Sequence, residues 1–308
     1  MDKSGIGQEL RSARATSRWP ARIAVLLGCS IAISAQTVIK PPNNKFNPAQ
    51  DVELGEKAAR EAERQYPVLG DDAVTGYVQD VGGRLVEAIP PDLQQPQFHY
   101  VFKVLDVKDI NAFALPGGPM YVHRGIVEAA HTEGELAGVM AHEMSHVALR
   151  HGTAQQTKAE KFSLGALAGA VVGRAVGGGL GTLISEGSQF GLGATFLRFS
   201  RDYEKQADLL GVRMMAQAGY DPRDLAHMFE TIEKEGGGRS PQWLSDHPNP
   251  GNRVEYINAE ATRLPIEHPV GQSESDAFTR TQAHLKTLPP AKTLAELAER
   301  RKTGSGRQ

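Results

Sequence analysis

Glu135-Leu136-Ala137-Gly138-Val139-Met140-Ala141-His142-Glu143-Met144-Ser145-His146-Val147-Ala148-Leu149-Arg150-His151 is the stretch from which the rest of the chain is read. Thr132 stands at capping distance and Glu135 follows three residues later, the spacing of a capping box. Leu136, Val139, Met140 and Val147 recur at helical spacing, so the segment predicts a helix. Residues four apart share a helix face. His142 and His146 can therefore reach one ion, while Glu143 projects beside it. This is the HExxH pattern, in which two imidazoles hold zinc and the glutamate serves as general base. The competing reading is an ordinary polar helix surface.

A catalytic zinc takes three protein ligands and keeps a fourth position for water. Arg201 to Gly211 reads as a second helix, with Glu204 and Asp208 one turn apart on one face. Acidic residues four apart usually mark a solvated face. After an HExxH, Glu204 suits the third ligand, and Asp208 suits the partner that accepts the far N–H of a ligand histidine. Ala207 and Gly211 are small enough to let two helices approach closely.

His142 to His146, Glu204 to Asp208, and Ser245-Asp246-His247-Pro248-Asn249-Pro250 with Arg253 resemble metallopeptidase family 48, the relatives of HtpX, BepA and the CAAX prenyl proteases. Asn111-Ala112-Phe113-Ala114 and Gly117 to Gly125 resemble it too, so four blocks match in order over roughly residues 45 to 262. The resemblance implies an α+β, mostly helical, zincin-like domain with one zinc ion per subunit. It also implies an edge strand beside the cleft, where Asn111, Ala112 and Phe113 meet substrate, and a zinc endopeptidase acting on unfolded or misassembled envelope proteins. Asn111 reads equally as a residue that starts a strand. His247 suits a donor to the oxyanion or, as the resemblance implies, a zinc ligand in a closed resting state. Loop stabilisation is its plainer role. Arg253 suits a second oxyanion partner or a surface ion pair.

The 308 residues carry a net charge of −2, which gives no hint of nucleic acid, and the single cysteine excludes an internal disulfide. Arg11, Arg14, Arg18 and Arg22, the apolar Ile23 to Ile33 and the small Ser34-Ala35 read as an export signal over residues 1–35. Leu26-Leu27-Gly28-Cys29 also resembles a lipobox, with cleavage before a lipidated Cys29, and an uncleaved anchor is a third reading. All three place the body outside the cytoplasm, in a bacterial periplasm or cell envelope. Residues 36–50 read as a linker, 51–264 as the metallopeptidase domain, and 265–308 as a short helical extension with a tail from Thr303.

Within the domain, Val52 to Tyr66 and Asp71 to Ala88 read as helices. Phe98 to Leu105, Asn111 to Leu115 and Met120 to His123 read as strands, the last two joined at Pro116-Gly117-Gly118. The edge of such a sheet can accept an extended peptide through its backbone. His123 and His131 read as surface residues, and His151 as the polar end of the metal helix. The insertion 162–194 opens with the apolar stretch 162–183, where Gly165, Gly169, Gly173 and Gly177 share one face. It suits a hairpin over the site or contact with a membrane. Asp221-Pro222 predicts a helix start, running to Glu235. Phe278 to Leu288 and Leu294 to Arg301 predict two short helices, and no tetratricopeptide period follows. A zinc exopeptidase and a noncatalytic zinc-bearing envelope chaperone or scaffold remain open beside the endopeptidase.

Overall fold

The computed structural model describes residues 37–159, 199–235, 242–247, 251–266 and 268–304. The export signal with Cys29, the insertion 162–194, Gly236 to Gly238 and Pro248 to Pro250 lie outside the described residues. Among the described residues no helix is long and apolar enough to cross a membrane.

The metal helix runs over Glu133–Ala148, and every one of its residues is buried. Ala137, Gly138, Ala141 and Ala148 occupy the faces that an amphipathic surface helix gives to charged side chains. Other elements can therefore cover it all round. Thr132 caps it, its hydroxyl accepting the Glu135 N–H at 3.1 Å. The reciprocal half of the expected capping box is displaced by one residue, because the Glu135 carboxylate accepts from the His131 N–H at 2.8 Å.

In chain order the helices are α1 (Pro48–Gln65), α2 (Asp72–Glu87), α3 (Arg124–Ala129), α4 (Glu133–Ala148), α5 (Arg201–Gln217), α6 (Asp224–Glu235), α7 (Gln242–Asp246), α8 (Arg253–Ala261), α9 (Gln272–Leu285) and α10 (Leu294–Gly304). Residues 151–159 are also helical. The metal helix α4 packs against α5, α6, α2 and the sheet. Gly211 sets its spacing from α5: a Cβ there would lie 3.3 Å from the His142 backbone nitrogen. A buried cluster fixes α2 to α4, with the Tyr77 hydroxyl donating to Glu133 at 2.9 Å, Tyr220 to Glu133 at 2.7 Å, and Arg84 bonded to both Glu133 and Tyr220.

Three strands, β1 (Val101–Leu105), β2 (Ala112–Ala114) and β3 (Pro119–His123), form a sheet in the order β1-β3-β2. β1 runs parallel to β3 with Leu105 opposite His123, and β2 runs antiparallel with Ala112 opposite Val122. Gly117 at φ 81° and Gly118 at φ 122° make the turn between β2 and β3, a conformation that favours glycine. Alternate side chains face opposite ways. Phe102, Val104, Ala112, Ala114, Met120 and Val122 join the main core, while Leu105, Phe113 and Tyr121 pack with Ala58 and Ala62 of α1.

This two-sided burial corrects the surface reading of His123. Its position in β3 points it at the Phe113 side of the sheet, where it is 1% exposed, beside Tyr66 and Phe113. Its Nδ1 meets the Asp109 carbonyl at 3.0 Å, and burial pushes the imidazole down to about 4. The exposed reading holds for His131, whose side chain is 67% exposed. The α6 helix begins at Asp224, and the Asp221 carboxylate accepts the Arg223 N–H at 3.0 Å, the bond of a helix cap, so a turn over residues 221–223 leads into it. The C-terminal segment packs on the body. Buried Arg124 donates to the Leu285 and Pro289 carbonyls at 2.7 and 2.8 Å, and the Lys108 N–H to the Lys292 carbonyl at 2.9 Å.

Candidate metal centre

α4 and α5 cross where His142, His146 and Glu204 face one another, and His247 at the end of α7 completes the group. One ligand atom from each of the four residues lies within 4.8 Å of every other, and all four residues are buried. His142 Nε2 is 3.1 Å from His146 Nε2, 3.2 Å from His247 Nδ1 and 3.4 Å from Glu204 Oε2. Glu204 Oε1 is 3.5 Å from His146 Nε2 and 3.2 Å from His247 Nδ1. Ligands bonded to zinc at about 2.0–2.1 Å in a tetrahedron stand about 3.3 Å apart. The donor set therefore fits zinc in both spacing and chemistry.

Asp208 lies on the far side of His142. Its Oδ1 accepts from His142 Nδ1 at 2.9 Å, which leaves Nε2 as the ring nitrogen facing the centre. Buried Arg253 closes the two carboxylates from behind, its Nε on Asp208 at 2.8 Å and its Nη2 on Glu204 at 2.7 Å. The Tyr256 hydroxyl also donates to Asp208. Burial alone would raise the Glu204 carboxyl, but the His247 and His142 imidazoles outweigh it and hold it well below the ordinary range. Burial likewise opposes the charged form of His142, yet Asp208 and Glu204 carry that imidazole up to about 9. For His146, burial dominates and the imidazole is held neutral.

Glu143 projects beside the donor group, as its place next to His142 in the helix requires. Its Oε1 accepts from the Trp243 indole N–H at 3.1 Å and lies 3.2 Å from His247 Nε2. Trp243 stacks on His247, with centroids 4.7 Å apart. Nothing in the sequence around Trp243 marks it as part of the site, since it is separated from Glu143 by a hundred residues and meets it only through the fold. His151, expected at the polar end of the metal helix, instead lies past the end of α4 at Ala148 and opens the next helical stretch. It is fully buried, with Nδ1 2.9 Å from His146 Nδ1. Phe199 stacks on the His146 ring, with centroids 3.9 Å apart.

Asn111, just before β2, and Ala112 and Phe113 within it are all buried. Among the described residues β2 pairs only with β3, on one side. The Asn111 side chain accepts from the Ala112 N–H at 2.9 Å, and Phe113 turns away into the Tyr121 cluster, with ring centroids 5.1 Å apart.

The family model of Peptidase family M48 matches residues 72–261, more than half of the chain and the whole of this centre. The chain belongs to peptidase family M48. Its similar relatives include a beta-barrel assembly-enhancing protease from Escherichia coli, 29% identical over 221 residues, covering 70% of this chain and 44% of that protein. The metalloprotease LoiP of Escherichia coli is 35% identical over 159 residues, 51% of this chain and 60% of LoiP. The mitochondrial metalloendopeptidase OMA1 of Arabidopsis thaliana is 35% identical over 150 residues, 48% of this chain and 29% of OMA1. This M48 chain spans about half the length of the first of these relatives.

Proposed function

We propose that the protein is a zinc-dependent endopeptidase that cuts unfolded or misassembled polypeptides in a bacterial envelope. The buried group of two histidines, a glutamate and a fourth histidine at tetrahedral spacing, with Glu143 alongside, carries this reading. His142, His146 and Glu204 are the ligands, and Asp208 orients His142. A zinc ion held by these residues would supply acidified water and a Lewis acid for the scissile carbonyl. Glu143 takes the proton from the attacking water at a carboxylate oxygen and delivers it to the nitrogen of the leaving amine. Arg253 holds both carboxylates, and its Nη1 is buried without a hydrogen-bond partner among the described residues, which makes it this reading's candidate second donor to an oxyanion only if the site rearranges on binding substrate. The outer edge of β2 at Asn111, Ala112 and Phe113 takes substrate backbone as an added strand, which suits chains of varied sequence. The relatives named as proteases of beta-barrel assembly support the envelope setting, as does the export signal read in the sequence. Contact with a membrane through 162–183 or a lipidated Cys29 belongs to the same reading.

His247 occupies the position that a catalytic site keeps open. In this state the centre is closed, and turnover requires His247 to withdraw. The closed four-residue set also favours a second reading, a structural zinc site in a noncatalytic chaperone, because structural sites are fully ligated by protein. An unfolded protein incubated with the wild type and with His247→Ala separates the readings through the masses of the products. Internal fragments, released faster by His247→Ala, support the gated endopeptidase. Loss of terminal residues alone indicates an exopeptidase, and no cleavage by either zinc-loaded protein indicates the scaffold.

A further inference from the structure

His151 is the least expected member of the centre: a fully buried histidine that contributes no atom to the ligand group yet touches one of its members. Its hydrogen bonds can be given a direction from their outer end. The Lys40 backbone carbonyl can only accept, so the Gln206 amide nitrogen, 3.3 Å away, donates to it. That turns Gln206 Oε1 toward His151, 3.0 Å from Nε2. An amide oxygen also only accepts, so His151 carries its proton on Nε2 and presents a lone pair at Nδ1. The neighbour of that lone pair, at 2.9 Å, is His146 Nδ1, which must then be the donor. His146 is left with its lone pair on Nε2, facing His142 and Glu204.

We propose that His151 is a positioning residue for the metal centre, an acceptor that fixes the tautomer and ring orientation of His146 through a relay anchored on the Lys40 carbonyl. The proposal rests on the zinc reading of the site. The two histidines of the metal helix are thus oriented by different means, His142 by the carboxylate of Asp208 and His146 by a neutral imidazole. A second set of contacts holds the relay in place. The His151 ring stacks on Tyr203 with centroids 4.3 Å apart and planes 1° from parallel, and Phe199 lies against both His146 and His151. Because Tyr203 and Gln206 both lie on α5, the helix that supplies Glu204 also fixes the orientation of His146.

The test is zinc affinity by chelator competition, with three proteins. His151→Phe keeps a ring to stack on Tyr203 but offers no acceptor. His151→Asn loses the ring and can place its amide oxygen near the former Nδ1. Loss of an outer partner of a metal-bound histidine typically weakens affinity about 10–100-fold. The expected result is a loss in that range for His151→Phe and recovery to within about threefold of wild type for His151→Asn. Imidazole nitrogen shifts of the zinc-loaded wild type should show His151 protonated on Nε2 and bare on Nδ1. Wild-type affinity in His151→Phe, equal losses in both variants, or a proton on His151 Nδ1 would each overturn the relay. If the wild type itself takes up no zinc, the metal reading falls, and the positioning role with it.

Discussion

His142 is a cation among the donor residues and must give up a proton to bind metal. With its imidazole carried up to about 9, it is protonated at pH 7, whereas burial keeps His146 neutral and the Glu204 carboxylate is ionised. The sign follows. Below about pH 9, binding an ion through His142 Nε2 expels one proton, so affinity weakens as pH falls, by about tenfold per unit, and levels off above pH 9. Calorimetry in two buffers of different ionisation heat should give one proton released per zinc at pH 7; zero or two would contradict this charge assignment. Glu204→Ala should do more than weaken binding. It removes a ligand and leaves Arg253 without one of its two carboxylate partners, so zinc content after gel filtration should fall by about 100-fold or more, beyond the loss expected for an outer partner. Full zinc occupancy in that variant would remove Glu204 from the ligand set.

Among the elements, the α4–α5 pair was the most legible in the sequence, because its signals are local. The HExxH spacing, the Thr132 cap and the small Ala207 and Gly211 each state a helical fact within one or two turns. His123 was misread for the opposite reason: polarity suggested exposure, and only the packing of α1 against the far side of the sheet buries it. His151 and Trp243 were equally hidden, since their partners in the site are set by how helices cross and not by spacing along the chain. Gly211 offers a test at this scale. A Cβ there meets the His142 backbone at 3.3 Å, so Gly211→Val should force α5 outward, overpacking that typically costs about 1–3 kcal/mol. Both the melting temperature and zinc affinity should fall, because Glu204 moves with α5. A drop in stability with unchanged affinity would separate the packing from the site.

For the whole molecule, the donors come from three stretches of chain far apart in sequence: α4, α5 and the end of α7. An ion at their meeting point binds the folded protein and finds no assembled site in the unfolded one. At free zinc about 100 times its dissociation constant, linkage gives about 2.7 kcal/mol of stability, or roughly 5–10 °C in melting temperature for a domain of this size. Chelation should remove that increment, and re-addition of zinc should restore it. A melting temperature indifferent to chelator would mean that the four residues hold together without a metal. The sequence pattern also anticipated the α+β class and the small sheet before the metal helix. The packing of the C-terminal segment through Arg124 was not legible, because a single arginine gives no sign of which carbonyls it will meet.

The measurement that tests the central claim most directly is cleavage of an unfolded model protein by the wild type and by Glu143→Gln, with zinc content matched between them. Glu143 lies beside the donor group without belonging to it. The substitution should therefore leave zinc in place and lower the rate of internal cutting by about 100-fold or more, the scale of a lost general base. Equal cleavage by the two zinc-matched proteins would contradict the assignment of Glu143, and with it the hydrolytic reading of the site.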